Sequence, residues 1–188
     1  MVEVRDTDIE DVKVFVPRRF EDSRGYFSET FVTKKYAPHL GDMAFVQDNE
    51  SFSVAPYTVR GLHFQSPPFA QDKLVRVIAG RVLDVVVDVR EGSPTFGKWV
   101  SAELTAGGGE QIIAPIGFLH AFMTLEPNTV VAYKVSNFYD SASDGGVMWN
   151  SPSLKIDWPV GADKAVLSDK DSKAIDYDDF DSPFTYNK

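Results

Sequence analysis

The chain has 188 residues, 43% of them hydrophobic and 25% charged, with a net charge of −9 and no cysteine. A chain of this length buries roughly 70% of its unfolded surface, so its core needs no disulfide or metal, and the lack of cysteine removes thiolate nucleophiles and thiolate metal ligands. The acidic balance argues against general nucleic-acid or membrane-surface binding, which calls for a basic face.

The opening stretch, MVEVRDTDIEDV, is acidic and lacks the apolar run of a signal peptide, so a cytoplasmic protein is expected. Strand signals then recur along the chain. They fall at residues 12–16, 26–32, 44–52 and 59–64, with TKKYAPHL at 33–40 set for a turn or two of helix interrupted by Pro38. Asn49, Glu50 and Ser51 match a glycosylation sequon, read as chance in a protein that is not secreted. Residues 73–79 and 81–89 meet at Gly80, which reads as a tight hairpin. Further strands are expected at 98–104, 111–114, 120–125 and 130–135. Gly107, Gly108 and Gly109 read as a turn, because the Lys and Ser/Thr of a phosphate loop are missing. The longest apolar runs, such as 112–119, are too short to span a bilayer. The tail from about 172 to 188 is acidic and expected to wrap the surface as short helix and coil. The expectation is one all-β domain over residues 1–188, a sandwich or barrel with short peripheral helices.

Alternation along strands sorts side chains by face. His63 shares a face with Gly61 and Gln65, Lys73 with Val75 and Val77, His120 with Phe122 and Thr124, and Tyr133 with Val131 and Val135. Each set puts one polar group on a small or apolar face, and several such groups converging inside a barrel make a binding pocket. Arg60 is three residues from His63, which puts it on the opposite face of a regular strand. Either its long stem reaches round the edge, or a bulge at Gly61 resets the register.

Residues 109–120, GEQIIAPIGFLH, follow the second motif of the cupins, in which the final His often holds a metal. The first motif is broken here: His63 is flanked two residues away by Gly61 and Gln65 rather than by a second histidine, and His39 is the one remaining imidazole. A metal site needs three or four suitable ligands, so no metal and no other cofactor is expected.

RGLHFQ, KLVRVIAGRVLDVVVDVREGSPTFGKW, PIGFLHAF, YKVSNFY, WNSP and LSDKD occur in that order, and with them the chain resembles the dTDP-4-dehydrorhamnose 3,5-epimerase family from about Arg18 to Asp171. The resemblance implies a metal-free cupin-type jelly roll. It also implies a homodimer in which an N-terminal strand crosses to the partner, and a substrate of the dTDP-4-keto-6-deoxy-hexose type. The implied reaction inverts carbons 3 and 5 of dTDP-4-keto-6-deoxy-D-glucose to give dTDP-4-keto-L-rhamnose. The alternatives are an epimerase acting at carbon 3 or carbon 5 only, or a silent sugar-nucleotide-binding cupin. By the same likeness His63 is the base, Asp171 its supporting carboxylate, Lys73 the cation near the C4 oxygen and Tyr133 the acid on the far side of the ring. Nucleotide and substrate contacts would come from Arg24, Glu29, Gln47, Asn49, Arg60, His120 and Lys170, with Tyr139 stacked on thymine and Asp144 standing where the family often has Glu. Glu50 and Ala121 replace a His and a Gly common in the family, and neither is given a role.

These residue types suit the chemistry. A proton beside a ketone leaves an enolate, which a fixed cation stabilises. Imidazole titrates near neutral pH, and a neighbouring carboxylate sets its tautomer. Inversion needs a proton delivered from the opposite face, which a tyrosine hydroxyl can give.

Overall fold

The computed structural model describes residues 2–186 and consists mostly of strands. In chain order they are β1 (Val2–Asp6), β2 (Lys13–Pro17), β3 (Arg19–Asp22), β4 (Gly25–Ser28), β5 (Gln47–Ser53), β6 (Val59–Gln65) and β7 (Lys73–Ala79). They continue as β8 (Arg81–Asp88), β9 (Trp99–Thr105), β10 (Gln111–Ala114), β11 (Phe118–Thr124), β12 (Thr129–Val135) and β13 (Asp144–Gly146). One helix, α1 (Thr33–Leu40), stands between β4 and β5 and contains Pro38. Among the described residues no helix is long and apolar enough to cross a membrane.

Two antiparallel sheets face each other. One has the order β1-β2-β10-β7-β12-β5, the other β13-β6-β11-β8-β9; β3 and β4 form a separate hairpin. The inner layer is aliphatic at its closed end: Val14, Val75, Val77, Ile112 and Val131 from the first sheet meet Val82, Val86, Val100, Leu104 and Phe122 from the second. These are the alternate positions of β-branched strands, so burial of one face selects the register. The outer faces are also covered. Tyr36 of α1 packs with Phe15, Leu74 and Ile113 on the first sheet. Leu154 and Phe184 lie on Val85, Val87, Leu119 and Ala121 of the second. The C-terminal segment reaches that position through coil and two single 3₁₀ turns, Asp171–Lys173 and Tyr177–Asp179.

The structure corrects several expectations. β7 and β8 are not a hairpin, because they lie in different sheets. Gly80 (φ +79°) turns the chain across the sandwich, and a Cβ there would come within 2.3 Å of the Thr129 hydroxyl. The run expected at 26–32 is only the short β4, paired to β3, and the strand expected from 44 starts at Gln47. β1, β3 and β13 carry too few apolar residues to stand out; β1 has one neighbour strand and exposes its Glu3, Arg5 and Asp6.

Candidate active site

The open end of the inner layer is a cavity of about 360 Å³. Arg60, His63, Lys73, His120, Tyr133, Lys170 and Asp171 all line it, so seven of the side chains singled out from sequence converge on one space.

The placement of Arg60 follows from Gly61. His120 faces His63 and Phe122 faces Arg60, so two steps along β11 answer three steps along β6. That is a β-bulge, and it brings residues of opposite parity to the same side. Gly61 has φ +132°, and a Cβ on it would lie 2.4 Å from the Ala121 Cβ and 2.6 Å from the His120 carbonyl oxygen. Only glycine fits. Arg60 is then held by hydrogen bonds to the Phe52 carbonyl at 3.1 Å and to the Ser53 hydroxyl at 3.4 Å.

His63 donates from Nε2 to Oδ1 of Asp171 at 2.5 Å. Asp171 is 6% exposed. Burial pushes its carboxyl up, but the hydrogen bond and charge of His63, with Ser168 and Lys170, outweigh that and hold it below the usual carboxylate range. An ionised Asp171 fixes the proton on Nε2 and leaves Nδ1 as the basic nitrogen.

Lys73 opens β7 on the opposite sheet. Burial lowers its ammonium from 10.5 to about 8, against the pull of Asp144 and Asp84. Tyr133 stands on β12 next to β7, in register with Val75. Burial pushes its phenol up, opposed by Arg60 and reinforced by Asp144, so the hydroxyl keeps its proton. His120 is buried, and its Nε2 lies 2.9 and 3.0 Å from the two oxygens of Asp84. Asp84 was not recognised in the sequence, although alternation places it with Val82 and Val86 in RVLDVVVD, where a lone carboxylate is the signal.

The remaining candidates divide. Gln47 and Asn49 are half-buried on β5 and joined by a 2.7 Å hydrogen bond, and Asn49 pairs with Tyr133 across the ladder, but neither lines the cavity. Asp144, on β13, pairs with Lys170 and accepts the Tyr139 hydroxyl at 3.1 Å, which closes one side of the rim. Arg24 and Glu29 are not among the residues lining the cavity. Arg24 lies in the β3–β4 turn, bound to Asp22, and Glu29 is paired with Lys35. Among the described residues, no three His, Asp or Glu side chains gather as a ligand set for a metal.

A base with its carboxylate, a cation on the facing wall and a protonated phenol can together abstract a proton beside a carbonyl, hold the enolate and return a proton elsewhere. Comparison with known proteins agrees. The family model described as dTDP-4-dehydrorhamnose 3,5-epimerase matches residues 6–179. A dTDP-4-dehydrorhamnose 3,5-epimerase of Sinorhizobium fredii (strain NBRC 101917 / NGR234) is 50% identical over 96% of this chain and 92% of its own. The crystal structure of dTDP-6-deoxy-D-glucose-3,5-epimerase from Legionella pneumophila, in complex with dTDP-4-keto-L-rhamnose, is similar with a TM-score of 0.95 and 39% identity over 100% of both chains. A 3'-monoepimerase from Streptomyces bikiniensis, in complex with dTDP-quinovose, shares the fold at a TM-score of 0.84 and 32% identity, over 91% of this chain and 86% of that one.

Proposed function

The chain belongs to the dTDP-4-dehydrorhamnose 3,5-epimerase family, and on that premise we propose how its cavity divides the work of inverting carbons 3 and 5 of dTDP-4-keto-6-deoxy-D-glucose. The enzyme is an isomerase, and the His63–Asp171 pair is the observation that carries the assignment of its base. His63 Nδ1 takes the proton from the carbon beside the C4 ketone, and the electron pair moves onto the carbonyl oxygen as an enolate. Lys73, on the facing wall, holds that negative charge. Its ammonium is half-buried, so the attraction is screened less than it is in water. Tyr133 gives its phenolic proton to the opposite face of the same carbon, which completes the inversion. Asp171 stays ionised and stabilises the imidazolium formed at His63.

The diphosphate falls to Arg60 and Lys170, cations on one cavity in a chain of net charge −9. Lys170 must leave Asp144 to serve it. His120 offers a polar contact from the wall, Gln47 and Asn49 lie beside Tyr133 on the neighbouring strand, and Tyr139 offers an exposed ring for the base. Arg24 and Glu29 fit this reading if the working unit is a homodimer. The β3–β4 hairpin exposes Phe20, Tyr26 and Phe27, and β5 is an unpaired sheet edge flanked by exposed Val46 and Val54, with Phe52 exposed on it. A second copy covers these surfaces and receives Arg24 and Glu29 at its own cavity. The enzyme works in the cytoplasm with its nucleotide-sugar substrate.

The likeness to a 3'-monoepimerase favours one second reading, inversion at a single carbon. Incubation with dTDP-4-keto-6-deoxyglucose in deuterated water, followed by proton NMR, separates the two. Deuterium and inversion at both carbons support the first reading. Deuterium and inversion at carbon 3 alone support the second.

A further inference from the structure

One polar group in the inner layer has no part in that scheme. Asp84 sits in the middle of β8 with 0% exposure, on the face whose neighbouring positions, Val82 and Val86, belong to the core. A carboxylate carries a large desolvation cost there, and an aliphatic side chain would pack as its neighbours do. Folding alone gives no reason for an acid at this position. Its surroundings do: both of its oxygens lie within 3.0 Å of His120 Nε2, and Lys73 is the second charge acting on it.

We propose that Asp84 is a positioning residue for the epimerisation: one buried carboxylate fixes the tautomer of His120 and supplies the counter-charge that keeps the Lys73 ammonium at the sugar carbonyl. The inference rests on the reading of Lys73 as the cation at the enolate oxygen. His120 and His63 face each other across the β6–β11 ladder, and each Nε2 is held by a different carboxylate. The cavity thus contains two imidazoles in one fixed tautomer each, with Nδ1 as the free nitrogen. His63 uses that nitrogen as the base. His120 presents it as a hydrogen-bond acceptor to a substrate hydroxyl.

The charges around Lys73 show why Asp84 matters to it. Asp144 from β13 attracts it most, Asp84 from β8 next, and Lys170 repels it. Asp144 is committed to Lys170, so their effects on Lys73 largely oppose each other. Asp171 is committed to His63. Arg60 and His63 of β6, His120 of β11 and Tyr133 of β12 share the cavity and add no negative charge while Tyr133 keeps its proton. Burial pushes the Asp84 carboxyl up while His120 and Lys73 pull it down; as the carboxylate it adds to Asp144 in keeping Lys73 protonated.

Asp84→Asn keeps the size and a hydrogen-bonding oxygen but removes the charge. In the purified full chain, kcat/KM for dTDP-4-keto-6-deoxyglucose should lose its alkaline limb roughly one pH unit lower than in wild type, the lower end of what a nearby opposite charge gives. The loss should fall on kcat more than on KM. The ¹⁵N shifts of His120 in the resting protein should show the Nε2–H tautomer in wild type and lose it in the variant. Asp84→Val is the second variant. It should lower both Tm and kcat, because His120 Nε2–H and the Lys73 ammonium lose a buried partner. An unmoved alkaline limb with unchanged His120 shifts in Asp84→Asn would overturn the proposal. So would a folded Asp84→Val protein with wild-type kcat. A wild-type protein that epimerises neither carbon would sink the functional reading instead, and the ¹⁵N measurement separates that failure from this one.

Discussion

His63 and Asp171 are 108 positions apart in the chain and 2.5 Å apart in space. β6 supplies the imidazole, and the 3₁₀ turn that begins at Asp171 lays the carboxylate against it. Removing either partner should therefore leave a folded protein without a competent base. His63→Asn should lower kcat at both carbons by roughly 10²–10⁴-fold, the usual worth of a positioned base. Asp171→Asn should show a smaller loss, because the imidazole remains but its tautomer is no longer fixed. Wild-type turnover in a folded His63→Asn protein would remove His63 from the mechanism.

Lys73 links activity to pH. Below about 8 it is protonated and can hold the enolate; above that it loses its charge. The free enzyme should therefore lose kcat/KM as pH rises through about 8, a limb absent from Lys73→Arg, whose guanidinium stays charged. A flat wild-type profile to pH 10 would contradict the assignment.

Arg60 is assigned to a part of the substrate that does not react. Arg60→Ala should raise KM more than it lowers kcat, because the diphosphate contact is the same in ground and transition states. An unchanged KM with collapsed kcat would move Arg60 to the sugar.

Gly61 makes that placement possible. Gly61→Ala forces a Cβ to within 2.4 Å of Ala121 Cβ at a φ of +132°. It should cost about 1–3 kcal/mol of stability or more. It should also raise KM, because straightening the bulge returns Arg60 to the far side of the strand. Thermal unfolding and KM measured on one preparation check both, and an unshifted Tm would show that the bulge tolerates a side chain.

The cavity wall was legible in the sequence because it is made of strands. Period-two alternation puts His63, Lys73, His120 and Tyr133 on inward faces without knowledge of how the strands are ordered. Arg60 needed the bulge, and the signal was a glycine inside a strand next to a parity conflict. Alternation also marked Asp84, but a single acid in an apolar run is easily passed over when its partners, His120 and Lys73, come from distant segments. Gly80 shows a different limit. A glycine between two strands indicates a turn but does not say whether the chain returns beside itself or crosses to the facing sheet. That is decided by where both apolar faces can be buried, which is a property of the whole sandwich. Arg24 and Glu29 were named by the family resemblance alone, and within one chain they stand away from the cavity.

The most direct test of the account is the ratio of solvent exchange to inversion in Tyr133→Phe. The substitution keeps the ring among Val131 and Val135 and removes only the hydroxyl. His63 still abstracts the proton and Lys73 still holds the enolate, but the proton can return only from the imidazolium, on the face it left. With dTDP-4-keto-6-deoxyglucose in deuterated water, proton NMR should show deuterium entering beside the ketone with the original configuration kept. Inversion should fall by roughly 10²–10⁴-fold, and exchange by much less. If exchange and inversion keep their wild-type ratio at both carbons, Tyr133 is a packing residue and the two-faced mechanism is wrong.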